Sequence, residues 1–512
     1  MEQQRTPTKA ESAVIDAPIE MPEGVLSSDD LPDGWSLSTA GCISRVVGGG
    51  TPKSSEPENF SEDGHPWITP ADLSGFRELY IRRGRRDLSN KGLRSCSAVE
   101  VPEGTVLMSS RAPIGYVAIA ANAVCTNQGF KSFVCHAGID PEFVYFWLML
   151  IRPHIEQMGS GSTFSEISGG RSKEIPMLLA PTFEQGRIAA HIKRILPSVN
   201  SAQNRLSRVP AILKRFRQAV LSAACSGRLT ADWREHHISR VPSDEFLRAI
   251  LAKRAERAKE QGVGTIRKPT DTDLSQLSDV PEEWATTNID QVSCMVTSGS
   301  RGWARYYAES GPLFIRAQDI NTDRLQSDGT AHVQPPANAE GKRTRVRFGD
   351  LLVTITGANV TKAALVDREI GESYVSQHVA LVRLVDPFVG PFLYLWMVSP
   401  VHGRAKLLDD AYGAGKPGLN LDNIKQTALA LPPPDEQIEI VHRVETLFSL
   451  ADAVEKHVCD AARRADRLGQ SILVKAFRGE LVPTESELAR REGREYEPAS
   501  VLLERIRVER AD

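Results

Sequence analysis

The segment from Leu179 to Leu229 recurs at Leu431 to Leu481, 252 positions later and without a gap. Leu179, Pro181, Glu184, Gln185 and Ile188 fall on Leu431, Pro433, Glu436, Gln437 and Ile440; Arg215, Gln218, Ala224, Gly227 and Leu229 fall on Arg467, Gln470, Ala476, Gly479 and Leu481. Within each copy, apolar residues alternate in steps of four and three, the seam of a coiled coil. The first seam runs through Ile188, Ile192, Ile195, Leu206, Leu213 and Phe216, the second through Ile440, Val444, Leu447, Val458, Leu468 and Ile472. Each stretch starts after proline, carries acid in its first turn and stops at Gly227 or Gly479, so boundary signals agree with the periodicity. Two long helices are predicted, and matched seams in one chain are expected to face each other; the other reading is that each stripe packs on its own domain. Pro197 and Pro210 interrupt the first seam, which predicts kinks there and a straighter second helix. Straight, the first would be about 43 residues and span roughly 65 Å.

A chain of 512 residues exceeds what one core serves, so at least two domains are expected. The longest apolar run, Phe143 to Ile151, is too short to cross a bilayer, and the polar start has no signal-peptide core, which predicts a cytoplasmic protein. Seven scattered cysteines, none spaced as CxxC, argue against a disulfide framework or a structural zinc site. A formal charge of -3 offers no general attraction to polyanions, so nucleic-acid binding would need local basic patches or a partner's charge.

The duplication reaches beyond the helices. Residues 1–30 read as a disordered tail. Leu31-Pro32-Asp33-Gly34-Trp35 opens a globular unit, and Val280-Pro281-Glu282-Glu283-Trp284 opens a second. Trp67 to Leu73 resembles Phe314 to Ile320, and Glu103 to Ser109 resembles Phe348 to Thr354; each reads as a strand with a polar turn. Asp140-Pro141 and Asp386-Pro387 signal helix starts, with Tyr145 and Trp147 matching Tyr394 and Trp396 as core residues. After each long helix comes a charged one, Ser243 to Gln261 and Pro498 to Arg510. The expected division is 1–30, 31–180, 181–234, 235–280, 281–432, 433–482 and 483–512.

No enzyme chemistry emerges. Gly413 to Lys416 lacks the first glycine and the Ser/Thr of a phosphate loop, no GxGxxG follows a strand, and the histidines show no HExxH. No metal site is expected, and His236-His237 reads as a solvated pair. Basic clusters occur once per globular unit, Arg82-Arg83-Gly84-Arg85-Arg86 and Lys342-Arg343-Thr344-Arg345-Val346-Arg347. Beside loops rich in Ser, Thr, Asn, Gln and Arg, they suit DNA, where basic residues hold phosphates and amides and guanidiniums read base edges.

At these residues the chain resembles a type I restriction-modification specificity subunit, over about residues 31 to 510. The most specific stretches are Val209 to Val220, Gly227 to Arg234, Pro433 to Gln437 and Gln470 to Leu481, similar to the two conserved regions of the family and most like its type IA branch. The resemblance implies an α+β fold: two homologous target-recognition domains separated by two long antiparallel coiled-coil helices in a pseudo-twofold tandem repeat. It implies a non-catalytic subunit whose domains at 31–180 and 281–432 each read half of a bipartite double-stranded DNA target, while the helices set the spacer and dock two methylation subunits. S-adenosylmethionine, ATP and Mg would sit on partner subunits, including two restriction subunits where these join. The family's Leu-Thr-x-x-Trp-Arg ending is complete at Leu229 to Arg234 but becomes Leu481-Val482-Pro483-Thr484 in the second copy. The competing reading is a coiled-coil scaffold without DNA reading. Recognition domains differ within this family, so candidate DNA contacts come from loop chemistry: Lys53, Ser110, Arg111, Gln128 and Ser162 in the first domain, and Arg301, Arg316, Gln318, Asn359, Gln377 and Lys416 in the second.

Overall fold

A computed structural model describes residues 31–111, 113–160, 165–263, 272, 274, 277, 279–326, 329–336, 342–413, 415 and 417–511. The chain forms two compact units, of which only the second is continuous in sequence. The first takes residues up to Ser207 together with Asp460–Asp512; the second is Arg208–Cys459.

In the first unit a short ladder pairs Ser36–Thr39 with Pro176–Leu179, closing the domain's entry against its exit. A five-stranded sheet follows the order Ser44–Gly48, Phe130–Cys135, Val106–Ser109, Val117–Ala120 and Tyr80–Ile81, and a four-stranded sheet holds Phe60–Ser61, Arg86–Leu88, His65–Ile68 and Cys125–Thr126. The helix Pro141–Leu150 is started by Asp140, whose carboxylate accepts from the Glu142 and Phe143 amides, as the Asp-Pro signal predicts. Trp147 is fully buried and donates to Pro176 O at 2.8 Å.

The second unit repeats the plan. Ala285–Asn288 pairs with Ala428–Leu431; one sheet runs Ser293–Ser298, Val379–Leu384, Leu351–Thr354, Ala363–Leu365, and another Ala331–Val333, Tyr307–Ile315, Ser373–Val375. Trp396 is the counterpart of Trp147, buried and donating to Ala428 O at 2.8 Å. The tail helices are exchanged: Ser243–Glu260 belongs to the second unit, where Arg254 donates to Ser293 O at 3.0 Å, and Ala499–Ala511 belongs to the first, where Arg510 donates to Gly41 O at 2.9 Å.

The second long helix is unbroken over Pro434–Ala476. The first is two helices, Thr182–Leu206 and Val209–Cys225. Pro197 stays inside a helix, whereas Pro210 sits in the first turn of a new one, where its missing amide has no helical partner to lose. The interruption expected at Pro210 is therefore present, and the stretch from Thr182 to Cys225 is two segments. Within each unit the copies run antiparallel. In the first, Arg187 meets Glu485 and Gln203 meets Asp466; in the second, Arg217 meets Asp452 and Glu455, and Arg443 meets Asp232.

The seam holds at Ile188, Ile192, Leu213, Ile440, Val444 and Ile472, which are buried, and partly at Ile195, Leu206, Phe216, Leu447 and Val458. Leu468 is a correction: it is 53% exposed. A Cβ placed on the neighbouring Gly469 would lie 3.9 Å from both Leu196 and Val199, so the glycine side of the turn faces the partner. A 3.6-residue helix drifts from a strict 3.5-residue repeat, which explains the slip. Ile188, Ile192 and Leu196 also join the core of their own unit, with Phe143, Trp147 and Phe477, so each reading of the stripe holds for part of its length. Among the described residues, no helix is long and apolar enough to cross a membrane.

His402 precedes the helix Gly403–Asp410, its ring 4.4 Å from that of Trp396 and its Nδ1 3.2 Å from Ser399 Oγ. Burial pushes its pKa down to about 4, with Asp279 opposing and Arg228 reinforcing the shift. The folded value lies below the unfolded one of about 6.5, so the unfolded chain takes the proton first. This stabilisation is complete above about pH 6.5 and is lost as pH falls toward 4, with a loss of roughly 2–3 kcal/mol. The replacement His402→Gln should flatten the difference in second-unit stability between pH 7 and pH 4.5; an unchanged slope in denaturant titrations would contradict this assignment.

Candidate nucleic-acid interface

The same loop cluster is built twice, and backbone hydrogen bonds define it. In the first unit, Gly50 N donates to Thr126 O at 2.9 Å, Asn127 N to Ile68 O at 3.0 Å, Ser110 N to Gly129 O at 2.7 Å and Ile167 N to Ser110 O at 2.9 Å. In the second, Gly299 N donates to Ser376 O at 3.3 Å, Ser376 N to Ile315 O at 2.8 Å, Ile355 N to His378 O at 2.9 Å and Leu419 N to Ile355 O at 2.8 Å. Glycine is required where the first loop crosses: a Cβ on Gly49 would lie 2.0 Å from Asn127 O, and one on Gly299 2.0 Å from Val375 O. An aspartate closes the next turn in both units, Asp72 accepting from Thr69 N and Asp319 from Arg316 N, each at 2.8 Å. The last loop is pinned by paired bridges, Arg111 to Glu166 and Ser160 to Glu166, then Thr356 to Gly418 and Tyr412 to Gly418.

The side chains in this frame fall into three groups. Lys53, Gln128, Arg301 and Gln318 are exposed, and Gln377 is half-buried with Nε2 3.1 Å from His378 Nε2. Gln128 and Gln377 occupy equivalent positions, each just before the residue whose carbonyl anchors the neighbouring loop. Lys53 and Arg111 carry carboxylate partners, Glu56 at 3.6 Å and Glu166 at 3.0 Å. Surface pairs of this kind are weak, so either cation can exchange its partner for a phosphate.

Three residues are engaged by the protein itself, Ser110 buried and Arg316 and Asn359 half-buried. Ser110 is fully buried, so its amide and carbonyl tie loops together while its hydroxyl faces no solvent. Arg316 forms a fork on Asp319, Nε to Oδ2 at 3.1 Å and Nη2 to Oδ1 at 3.0 Å; the hydrogen bond to Asp319 holds its pKa above the ordinary value against burial. Asn359 Nδ2 donates to Ala317 O at 3.1 Å. Their hydrogen bonds hold the loops together. Ser162 and Lys416 lie outside the described residues.

The basic clusters are exposed at Arg82, Arg83, Arg85 and Arg86 and at Arg343, Arg345 and Arg347. Arg83 pairs with buried Asp87 at 2.7 Å, and Arg86 lies 4.3 Å over the Phe60 ring, which fixes the stems while leaving guanidinium edges open. Sequence reasoning missed Lys131, beside Arg111 and Glu166, whose pKa burial lowers. It also missed Asn321, Thr322 and Arg324, exposed on the loop that carries Gln318. An uninterrupted polar run, Asn321-Thr322-Asp323-Arg324, was the available signal.

Two like units, each gathering amides, hydroxyls and guanidiniums on one rigid loop cluster, define the class of two-part readers. Comparison with known proteins agrees. The family model described as "Type I restriction modification DNA specificity domain" matches residues 32–209 and 320–460. The specificity subunit of the type I restriction enzyme EcoBI from Escherichia coli is 29% identical over 503 residues, covering 95% of this chain and 94% of that protein. The EcoDI specificity subunit, also from Escherichia coli, is 30% identical over 386 residues, covering 73% and 77%. A solved structure described under complex assembly and conformational transition of the type I R-M system aligns with a TM-score of 0.57 at 17% identity, covering 88% of this chain and 99% of that one. This chain belongs to the type I restriction-modification DNA specificity family.

Proposed function

We propose that this chain is the DNA specificity subunit of a type I restriction-modification complex, each unit reading one half of a bipartite double-stranded target. The observation that carries the reading is the repeated loop cluster, in a chain matched along 95% of its length by a type I specificity subunit. The subunit is non-catalytic; the long helices set the unread spacer and dock two methylation subunits. S-adenosylmethionine is bound by those partners, and ATP and Mg by restriction subunits where these are present. Large apolar side chains left exposed on the helices support docking: Phe183 and Leu468 in the first unit, Ile212, Ile438 and Leu450 in the second, each more than half exposed. The loop clusters differ in side chains, so two different half-sites are expected.

The test is genome-wide mapping of N6-methyladenine in cells that express the methylation partner with and without this chain. A split motif that appears only with the chain is the expected result. A stable complex with no chain-dependent motif would leave a scaffold.

A further inference from the structure

Two residues other than glycine have left-handed backbones among the described residues, Asp323 (φ 59°) and Thr361 (φ 72°). Aspartate tolerates that region, but a β-branched threonine is disfavoured there and needs its surroundings to hold it. One guanidinium reaches both. Arg404 donates from Nη1 to Asp323 Oδ2 at 3.1 Å and from Nη2 to Asp323 Oδ1, and Nη2 lies 3.4 Å from Thr361 O. The aspartate is fixed on its other sides: Oδ1 accepts from Ala363 N at 3.2 Å, Lys362 Nζ lies 3.5 Å from Oδ2, and the Asp323 carbonyl accepts from Tyr394 Oη at 2.7 Å.

The first unit solves the same turn differently. Gly115 N donates to Ser109 O at 2.9 Å, as Thr361 N donates to Thr354 O at 2.9 Å. Gly115 has φ 80°, a conformation open to glycine without a support. Arg152, 252 positions before Arg404, lies 4.8 Å over the Tyr116 ring and pairs with Glu156 at 2.8 Å. The second unit thus has a left-handed threonine whose carbonyl an arginine reaches; in the first, among the described residues, the arginine at the matching position packs its stem against the glycine, a Cβ there lying 2.9 Å from Arg152 Cγ, and pairs elsewhere.

The clamp lies between two loops of the candidate interface. Thr361 ends the loop 355–361, which Asn359 ties to Ala317; Asp323 lies on the loop that exposes Gln318, Asn321, Thr322 and Arg324. We propose that Arg404 and Asp323 are positioning residues for sequence discrimination by the second unit, holding these two loops in one arrangement. The proposal rests on the reading of each unit as the reader of one half-site. Neither side chain needs to touch DNA.

The test uses the full chain with its methylation partners and measures methylation across all single-base variants of both half-sites. Arg404→Lys keeps a cation beside Asp323 but loses the fork that reaches Thr361. Discrimination by the second unit should fall on the order of tenfold, with the first half-site unchanged, because a small misplacement of contacting groups by a change elsewhere is costly. Thr361→Gly in the same chain removes the need for the clamp and should restore most of the discrimination; alone it should leave discrimination near that of the unaltered chain. An Arg404→Lys chain that discriminates normally, loses both half-sites equally, or is not rescued by Thr361→Gly overturns the proposal. If the unaltered chain directs no split motif, the two-reader function itself falls, which is a different outcome.

Discussion

Replacing Arg383 with alanine is expected to destabilise the second unit by about 3–5 kcal/mol, the usual result of stranding one member of a buried ion pair. Arg383 and Asp350 are only 9% and 2% exposed. The guanidinium donates from Nε to Oδ1 at 2.9 Å and from Nη2 to Oδ2 at 2.7 Å, and Nη2 also reaches Arg345 O at 2.8 Å. Its Nη1 lies 3.3 Å from Gln261 Oε1 at the end of the charged helix, so the substitution should loosen that helix as well. The residues are cross-strand neighbours, since Leu351 pairs with Val382; the corresponding positions in the first unit are Thr105 and Val134. Urea titration should show the second unit unfolding earlier while the first is unchanged. Replacing both residues with leucine should recover most of the loss, because an apolar pair avoids the desolvation cost. A loss below about 1 kcal/mol for Arg383→Ala would mean that Asp350 finds water or another partner.

That pair also marks how far the sequence could be read. Periodicity and the 252-residue offset locate both long helices, the turn-and-strand pattern locates the strands around Val106 and Leu351, and the Asp-Pro pairs locate the helix starts at Asp140 and Asp386, because each carries a local signal in spacing or capping. Alignment placed Asp350 opposite Thr105 without revealing that Arg383 would satisfy it, since cross-strand partners are separated in sequence and leave no periodic trace. The same reason explains the loop residues. Gln128, Gln318 and Arg301 are candidate DNA contacts by loop chemistry, and the fold leaves their side chains exposed. Ser110 has the same chemistry in sequence but is buried, and half-buried Arg316 and Asn359 carry hydrogen bonds to neighbouring protein groups. Exposure is set by tertiary closure, which composition does not encode. Leu468 departs for another reason: Gly469 faces the partner helix at that turn, which leaves the leucine outside, and burial resumes at Ile472.

The second large effect concerns the glutamates that match across the repeat. Glu436 is buried; its Oε2 accepts from Trp284 Nε1 at 2.9 Å, its Oε1 from Thr230 Oγ1 at 2.7 Å, and Arg234 pairs with it. Thr230 and Arg234 are the Thr and Arg of the Leu-Thr-x-x-Trp-Arg ending, so that ending is legible as a carboxylate clasp. Glu184 is its counterpart. It accepts from Trp35 Nε1 at 3.0 Å and from the Glu485 amide at 2.8 Å, but in this copy Arg187 and Arg494 pair with Glu485 instead, at 2.6 and 2.7 Å. Burial accordingly raises the Glu184 pKa, against the hydrogen bonds that lower it. A carboxyl with a raised folded pKa favours folding in acid and loses that contribution as pH climbs past its unfolded value. Glu436→Ala should therefore cost about 3–5 kcal/mol at pH 7, since it strands a charged partner together with two neutral donors. Glu184→Ala should cost about 1–3 kcal/mol, since it strands neutral donors alone. Hydrogen exchange at Trp284 to Val292 and at Trp35 to Ile43 reports the two units separately. Equal deprotection in the two variants would show that the clasp contributes nothing beyond the tryptophan bond shared by both copies.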